Sequence, residues 1–375
     1  LNKLKIIIAL GYMVVLLAGC SPEDSDIPIT ENETFNEFLK NTPATIIDLD
    51  EISIDTVKIT SNQMLGTESS FFSEPVYLQP PMTSIMKQRD SIYTVNRQKI
   101  FVMDKNGVWK RSVGGKGNGP GEYDSYVNIA GNSSMIFGFD YGNGRIQIYD
   151  TELKLTSSYA KPLHHPLNTK NYSVNDDRLY IGLSPYQNDH LVGIYSVNDI
   201  ENVVETFWPK VIPNGLQPAP YNSIILDVNT KDTIAITNLG LPYLFLLSSD
   251  LLIEHILYFD SSYYEELENP SAKPVRIAGN THHDVPGVGA FIQNLQLDDD
   301  GSLYLTVGNN LYKIIIDETN SYQLKKGWHF VYNDPVLRKN SAKGISITTM
   351  AIEEGLIYFL SNWGGEYVFR VLLEE

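Results

Sequence analysis

Apolar and polar positions alternate in short bursts along most of the chain. Runs rich in Ile, Val, Tyr, Phe and Thr are divided by clusters of Asn, Asp, Gly and Pro. This pattern predicts strands joined by turns. β-Branched and aromatic side chains suit a pleated surface, and the dividing residues suit tight reversals. Helical spacing of apolar residues is almost absent. The bursts also repeat: residues 91–104 read SIYTVNRQKIFVMD and residues 135–150 read MIFGFDYGNGRIQIYD. Related units begin at 178, 233, 302 and 356.

The third residues of these units are Tyr93, Phe137, Tyr180, Ala235, Tyr304 and Tyr358. A base period near ~43 residues, lengthened later by insertions, is that of a four-stranded propeller blade. Six units predict an all-β fold, a six-bladed β-propeller of four-stranded antiparallel blades. The blades are expected near 81–113, 124–160, 172–208, 222–259, 290–332 and 345–375. One blade cannot bury both of its faces, so the units must stack radially around a channel. The last unit supplies only three strands. An N-terminal strand at 73–78, SEPVYL, is expected to complete it and hide an open edge. Residues 44–59 are β-rich and have no assigned partner, so the propeller is taken as 44–375.

Residues 114–123, GGKGNGPGEY, interrupt the strand pattern. So much glycine, with a proline, forbids a helix or a regular strand. The segment is read as a shaped joint between the first two blades. A phosphate-binding reading fails. Pro120 and Gly121 stand where a P-loop needs Lys and Ser or Thr, and no helix follows. Residues 140–150, DYGNGRIQIYD, resemble the NHL-type propeller repeat, Asp-x-x-Asn-x-Arg-Ile-x-Val-Phe-Asp. The joint itself resembles the Gly-x-Gly-Pro-Gly-Glu-Tyr loop of six-bladed β-propeller lipoproteins of Bacteroidota, an NHL-like and TolB-like group. The resemblance implies the fold and a cell-envelope location. It implies no reaction, because propellers host many functions.

Targeting signals agree with that location. Lys3 and Lys5 precede an apolar run, 6–17, which is too short to span a bilayer but suits a signal-peptide core. It ends in Leu17-Ala18-Gly19-Cys20, which resembles a bacterial lipobox. Cys20 is the single cysteine, so no disulfide framework competes for it. Residues 1–19 are therefore read as a lipoprotein signal peptide and Cys20 as the lipidation site. Residues 20–43 begin with an acidic, turn-prone tether, as in surface-exported lipoproteins of Bacteroidota. The expected location is the outer membrane, reached through the lipid, and the resemblance of the tether implies surface exposure.

Charge narrows the partners. The chain has 45 acidic against 28 basic residues, a net charge of −17. A basic stripe is lacking, which argues against nucleic acid. Neutral or cationic ligands, divalent ions or an envelope protein remain.

Candidate chemistry lies on loops. Arg97, Tyr141, Tyr186 and Trp363 occupy matching turns of blades one, two, three and six, with Asn143 and His190 nearby. On one rim they would offer stacking faces and hydrogen-bond donors to a sugar, a peptide or a small organic ligand. The histidine doublets His164-His165 and His282-His283 are weaker candidates, as ligands for zinc. Calcium held by turn Asn and Asp would suit a lactonase-like hydrolase or lyase. No acid–base pair or nucleophile has diagnostic spacing, so a non-catalytic binding module is the favoured reading.

Overall fold

Burial follows strand position within each repeat. Second strands such as Met135–Asp140 are buried almost throughout, whereas the outer strand Leu155–Ala160 alternates between half-buried and exposed. A sheet sandwiched between two others on both faces gives the first pattern, and a sheet edge gives the second. The computed structural model describes residues 37–38, 40–42, 44–66, 84–124, 127–160, 171–184, 188–210, 223–239, 241–262, 291–317, 321–333, 345, 347–361 and 368–373.

Three strands come first: β1 (Ala44–Asp48), β2 (Ile54–Ile59) and β3 (Met64–Leu65). Blade one is β4 (Ile85–Gln88), β5 (Ser91–Asn96), β6 (Lys99–Asp104) and β7 (Trp109–Gly114). Blade two is β8 (Val127–Gly131), β9 (Met135–Asp140), β10 (Arg145–Asp150) and β11 (Leu155–Ala160). Blade three is β12 (Tyr172–Val174), β13 (Arg178–Gly182), β14 (His190–Ser196) and β15 (Asp199–Pro209). Blade four is β16 (Ile224–Val228), β17 (Ile234–Asn238), β18 (Tyr243–Leu247) and β19 (Ile253–Asp260). Blade five is β20 (Ile292–Leu297), β21 (Leu303–Val307), β22 (Asn310–Ile316) and β23 (Tyr322–Tyr332). Blade six is β24 (Ile347–Glu353), β25 (Leu356–Ser361) and β26 (Val368–Leu372), completed by β3.

Successive strands pair antiparallel, and the inner strands β4, β8, β12, β16, β20 and β24 touch in cyclic order around the axis. The six-bladed, all-β expectation therefore holds. In blades one to five the register between third and fourth strands shifts by a bulge, for example between Ile148 and Tyr149. Such a bulge increases the twist of the outer strand.

The N-terminal strands act as a strap. β1 runs parallel to β19 and β2 parallel to β23, adding a fifth strand to blades four and five. β3 then pairs antiparallel with β26 and closes the ring. Closure by an N-terminal strand is thus as expected, with Met64–Leu65 in that place; segment 73–78 lies outside the described residues. Residues 44–59, unplaced from sequence, cover two outer edges that would otherwise expose unpaired backbone groups. Ahead of the strap, Phe38 stacks on Trp208 at 5.4 Å and meets Phe245 edge-on, filling the junction of blades three and four.

Candidate functional site

The upper end of the ring is where each outer strand crosses to the next inner strand. Its best-defined part is the joint 114–123. Gly115 N–H donates to the Gln98 carbonyl at 2.9 Å and Tyr123 N–H to the Gly115 carbonyl at 2.8 Å. Glu122 folds back so that its carboxylate accepts the Gly119 N–H at 2.8 Å. The repeat motif of blade two grips this loop from below. Arg145 donates to the carbonyls of Asn118 (2.9 Å), Gly119 (2.8 Å) and Glu122 (2.6 Å). Its Nε pairs with the fully buried Asp140 at 3.1 Å. Asn143 Nδ2 reaches the Gly117 carbonyl and Asp140, and Gln147 bonds both the Glu122 carbonyl and the Gly121 N–H. The Tyr123 and Tyr149 hydroxyls meet at 2.8 Å. Burial, and then each other's proximity, pushes the Tyr123 phenol well above its ordinary range; burial lifts Tyr149 to about 12. Gly138 leaves room for this pair, since a Cβ there would lie 2.3 Å from the Tyr123 hydroxyl. The resemblance to the repeat motif thus has a physical meaning: Asp140, Asn143 and Arg145 form a clasp for the incoming loop.

The sequence-predicted rim residues have different settings. Arg97 is exposed in the turn between β5 and β6, in a left-handed conformation (φ 53°), and its carbonyl accepts Val127 N–H. His190 is exposed at the start of β14, 3.2 Å from the Thr206 hydroxyl. Asn143 is engaged in the clasp. The Tyr141 hydroxyl accepts from Asn128 Nδ2 at 3.1 Å beside Tyr172, and burial raises its pKa well above the usual phenol range. Tyr186, Trp363, His164, His165, His282, His283 and Cys20 lie outside the described residues. Among the described residues, no three His, Cys, Asp or Glu side chains are grouped to hold a metal ion.

The lower end carries a feature that motif reading missed. A side chain bridges every blade junction there. Gln88 of blade one donates to the Asn132 carbonyl of blade two. Asn132 Nδ2 reaches the Asn175 carbonyl of blade three at 3.0 Å, and Asn175 Nδ2 reaches Asp232 of blade four. Asn229 Nδ2 donates to the Asp298 carbonyl of blade five at 3.2 Å. Gln296 bonds both the N–H and the carbonyl of Ile352 in blade six at 2.7 Å. Lys87 returns to Glu353 at 2.6 Å and closes the circle. Asn132, Asn175 and Asn229 also accept turn N–H groups of their own blades, so one carboxamide caps a turn and latches a neighbour. Each is the first residue after an inner strand. That recurrence is the sequence signal that was available.

Inside the circle lies an axial cavity of about 260 Å³, lined by all six inner strands. Its polar lining includes Lys87, Ser173, Asp227, Gln296, Thr349 and Glu353. Asp227 accepts Ser173 Oγ and the Leu297 N–H, both at 3.0 Å. Just beyond, burial raises the Asp298 pKa to about 6. The Gln296 hydrogen bond opposes the rise, and the charges of Asp300, Asp227 and Asp299 add to it.

Six radially stacked four-stranded blades around such a cavity define a six-bladed β-propeller. A family model described as a 6-bladed beta-propeller, DUF5128, matches residues 82–260, which span blades one to four. A member of the DUF4221 family from Bacteroides vulgatus has a similar structure, with a TM-score of 0.51 and 11% identity over 79% of this chain and 92% of that one. A Bacteroides fragilis protein described as exported gives 0.49 and 11% over 88% and 100%. Virginiamycin B lyase from Staphylococcus aureus gives 0.43 and 11% over 77% and 80%. No curated protein matches the sequence. At these identities the structural likeness concerns the fold alone.

Proposed function

We propose that this propeller is a non-catalytic binding module of the cell envelope, lipid-anchored at Cys20, that takes a ligand or partner protein on its upper face. The observation that carries the reading is the contrast between the two ends. Short turns and side-chain latches occupy the lower end at all six junctions. At the upper end the chain passes from Ala160 to Tyr172, from Pro209 to Ile224, from Asp260 to Ile292 and from Tyr332 to Ile347, each a wide gap in sequence between successive strands of neighbouring blades. Loops on a rigid frame are where recognition is usually built. Arg97 and His190 stand exposed at that end, and the clasp holds the joint beside Arg97 in one shape.

Photo-reactive side chains placed at 97, 190 and, on a lower turn, 250 test the reading in intact cells. Adducts are expected from 97 or 190 and not from 250. Adducts from 250 alone would reverse the assignment of faces. In the same cells Cys20→Ala should move the protein from the membrane to the soluble fraction, and unchanged fractionation would remove the anchor.

A further inference from the structure

The axial cavity has chemistry that the upper-face reading does not use. Its walls place opposite charges across the axis. The inner strands follow one another in cyclic order, so β4 and β16 are third neighbours and face each other through the channel. Lys87 stands on β4 and Asp227 on β16, and both line the cavity.

Each retains bonding capacity. The Lys87 side chain is only 6% exposed. Of its three N–H donors, one meets Glu353 and one the Arg89 carbonyl. Among the described residues the third has no acceptor. A carboxylate offers about four acceptor positions, and Asp227 fills two of them, with Ser173 and the Leu297 N–H. The neighbouring polar group, Gln296, has both N–H donors committed, to Asp298 and to the Ile352 carbonyl, and its oxygen accepts the Ile352 N–H. Counting Glu353, the lining carries one positive and two negative charges. A cationic group at Asp227 is therefore favoured, and an oxygen acceptor suits the free Lys87 donor. About 260 Å³ lies below the usual ~300–1,000 Å³ of drug-sized sites, which restricts the occupant to a small molecule.

We propose that the axial cavity binds a small amino acid–like compound, its ammonium on Asp227 and its carboxylate on Lys87. Because the two charges are fixed on opposite walls, one ligand length fits best. The site is independent of the upper face: it stands or falls without Arg97 or His190.

The test is calorimetric titration of the soluble Cys20→Ala chain with glycine, β-alanine, γ-aminobutyrate, 5-aminovalerate and 6-aminohexanoate, beside butylamine and butyrate. One length should bind best, and both single-charge compounds should bind more weakly. Asp227→Asn, which keeps the shape, accepts the Leu297 N–H on its carbonyl oxygen and turns its amide N–H donor toward Ser173 Oγ, should weaken the best ligand by about tenfold or more, as should Lys87→Met. Absence of heat from the whole series with the wild-type chain would overturn the proposal, whatever the variants do. So would binding that ignores ligand length or survives Asp227→Asn unchanged.

Discussion

Arg145→Met tests whether the clasp holds the joint between blades one and two. The Arg145 side chain is 14% exposed and Asp140 is fully buried. Methionine preserves much of the packing and removes all four contacts. Among the described residues the Asp140 carboxylate then keeps only Asn143, through its N–H at 3.2 Å and its Nδ2 at 2.7 Å. Breaking a buried pair from one side costs about 3–5 kcal/mol, because a charge is left in a poor environment. The residual Asn143 bonds place the value at the low end, about 3 kcal/mol. The three loop carbonyls lie nearer solvent and recover water bonds, so they add little. A loss of about 3 kcal/mol lowers Tm by roughly 4 °C in a domain of this size, at ~2.1 cal/mol/K of unfolding entropy per residue. Urea denaturation measures the energy, and hydrogen exchange at Gly117, Gly119 and Gly121 reports the loop. The double variant Asp140→Asn with Arg145→Met should recover about 1–2 kcal/mol, since no buried charge remains. A loss under about 1 kcal/mol, or no recovery in the double variant, refutes the clasp as the source of the joint's shape.

Two further predictions follow from the same geometry. Asp298 has its pKa raised from 3.8 to about 6, so between those values the native state binds the extra proton. Its contribution to stability is complete below pH 4 and is lost as pH rises through about 6. Asp298→Asn should therefore stabilise the fold at pH 8 and leave it nearly unchanged at pH 4. Urea midpoints at the two pH values check this, and an equal shift at both contradicts the linkage. Gly114 and Gly121 separate backbone strain from crowding. Both have positive φ (103° and 79°), but a Cβ at 114 would meet the Gln98 carbonyl oxygen at 2.4 Å while one at 121 meets nothing. Gly121→Ala should cost about 1 kcal/mol and Gly114→Ala well above ~2 kcal/mol. Equal losses in thermal melts would show that crowding at 114 is relieved by backbone movement.

Much of the fold was legible because a blade is a local object. Its strands are consecutive, its turns are marked by Asx residues, and its middle strands must be apolar on both faces. Asp104 and Asp150 show this directly: each accepts two N–H groups of the turn that follows it. The strap was less legible. β1 and β2 pair with strands some two hundred residues or more away, and parallel edge pairing leaves no turn signature. The rim candidates Asn143 and Tyr141 show the limit of motif reading. An Asn in a turn looks the same in sequence whether it faces a ligand or, as here, the carbonyl of Gly117. Only the position of a loop from the previous blade decides between them.

The lower latches follow from the same geometry as the cavity. Wedge-shaped sheets converge at the axis, and inner strands present their edges there. Buried backbone groups near that axis need partners. Asn and Gln side chains at the strand ends supply them at four of the six junctions, the Asn175–Asp232 and Lys87–Glu353 pairs bridge the other two, and together these contacts fix the angle between neighbouring blades. Once six such angles are fixed the ring has little freedom left, and the spacing between β4 and β16 is set. A site built on opposite walls, at Lys87 and Asp227, is then pre-organised by bonds that lie elsewhere in the circle. Loss of a distant latch such as Asn132 should act on ligand length preference through that spacing, although the residue lines no part of the cavity.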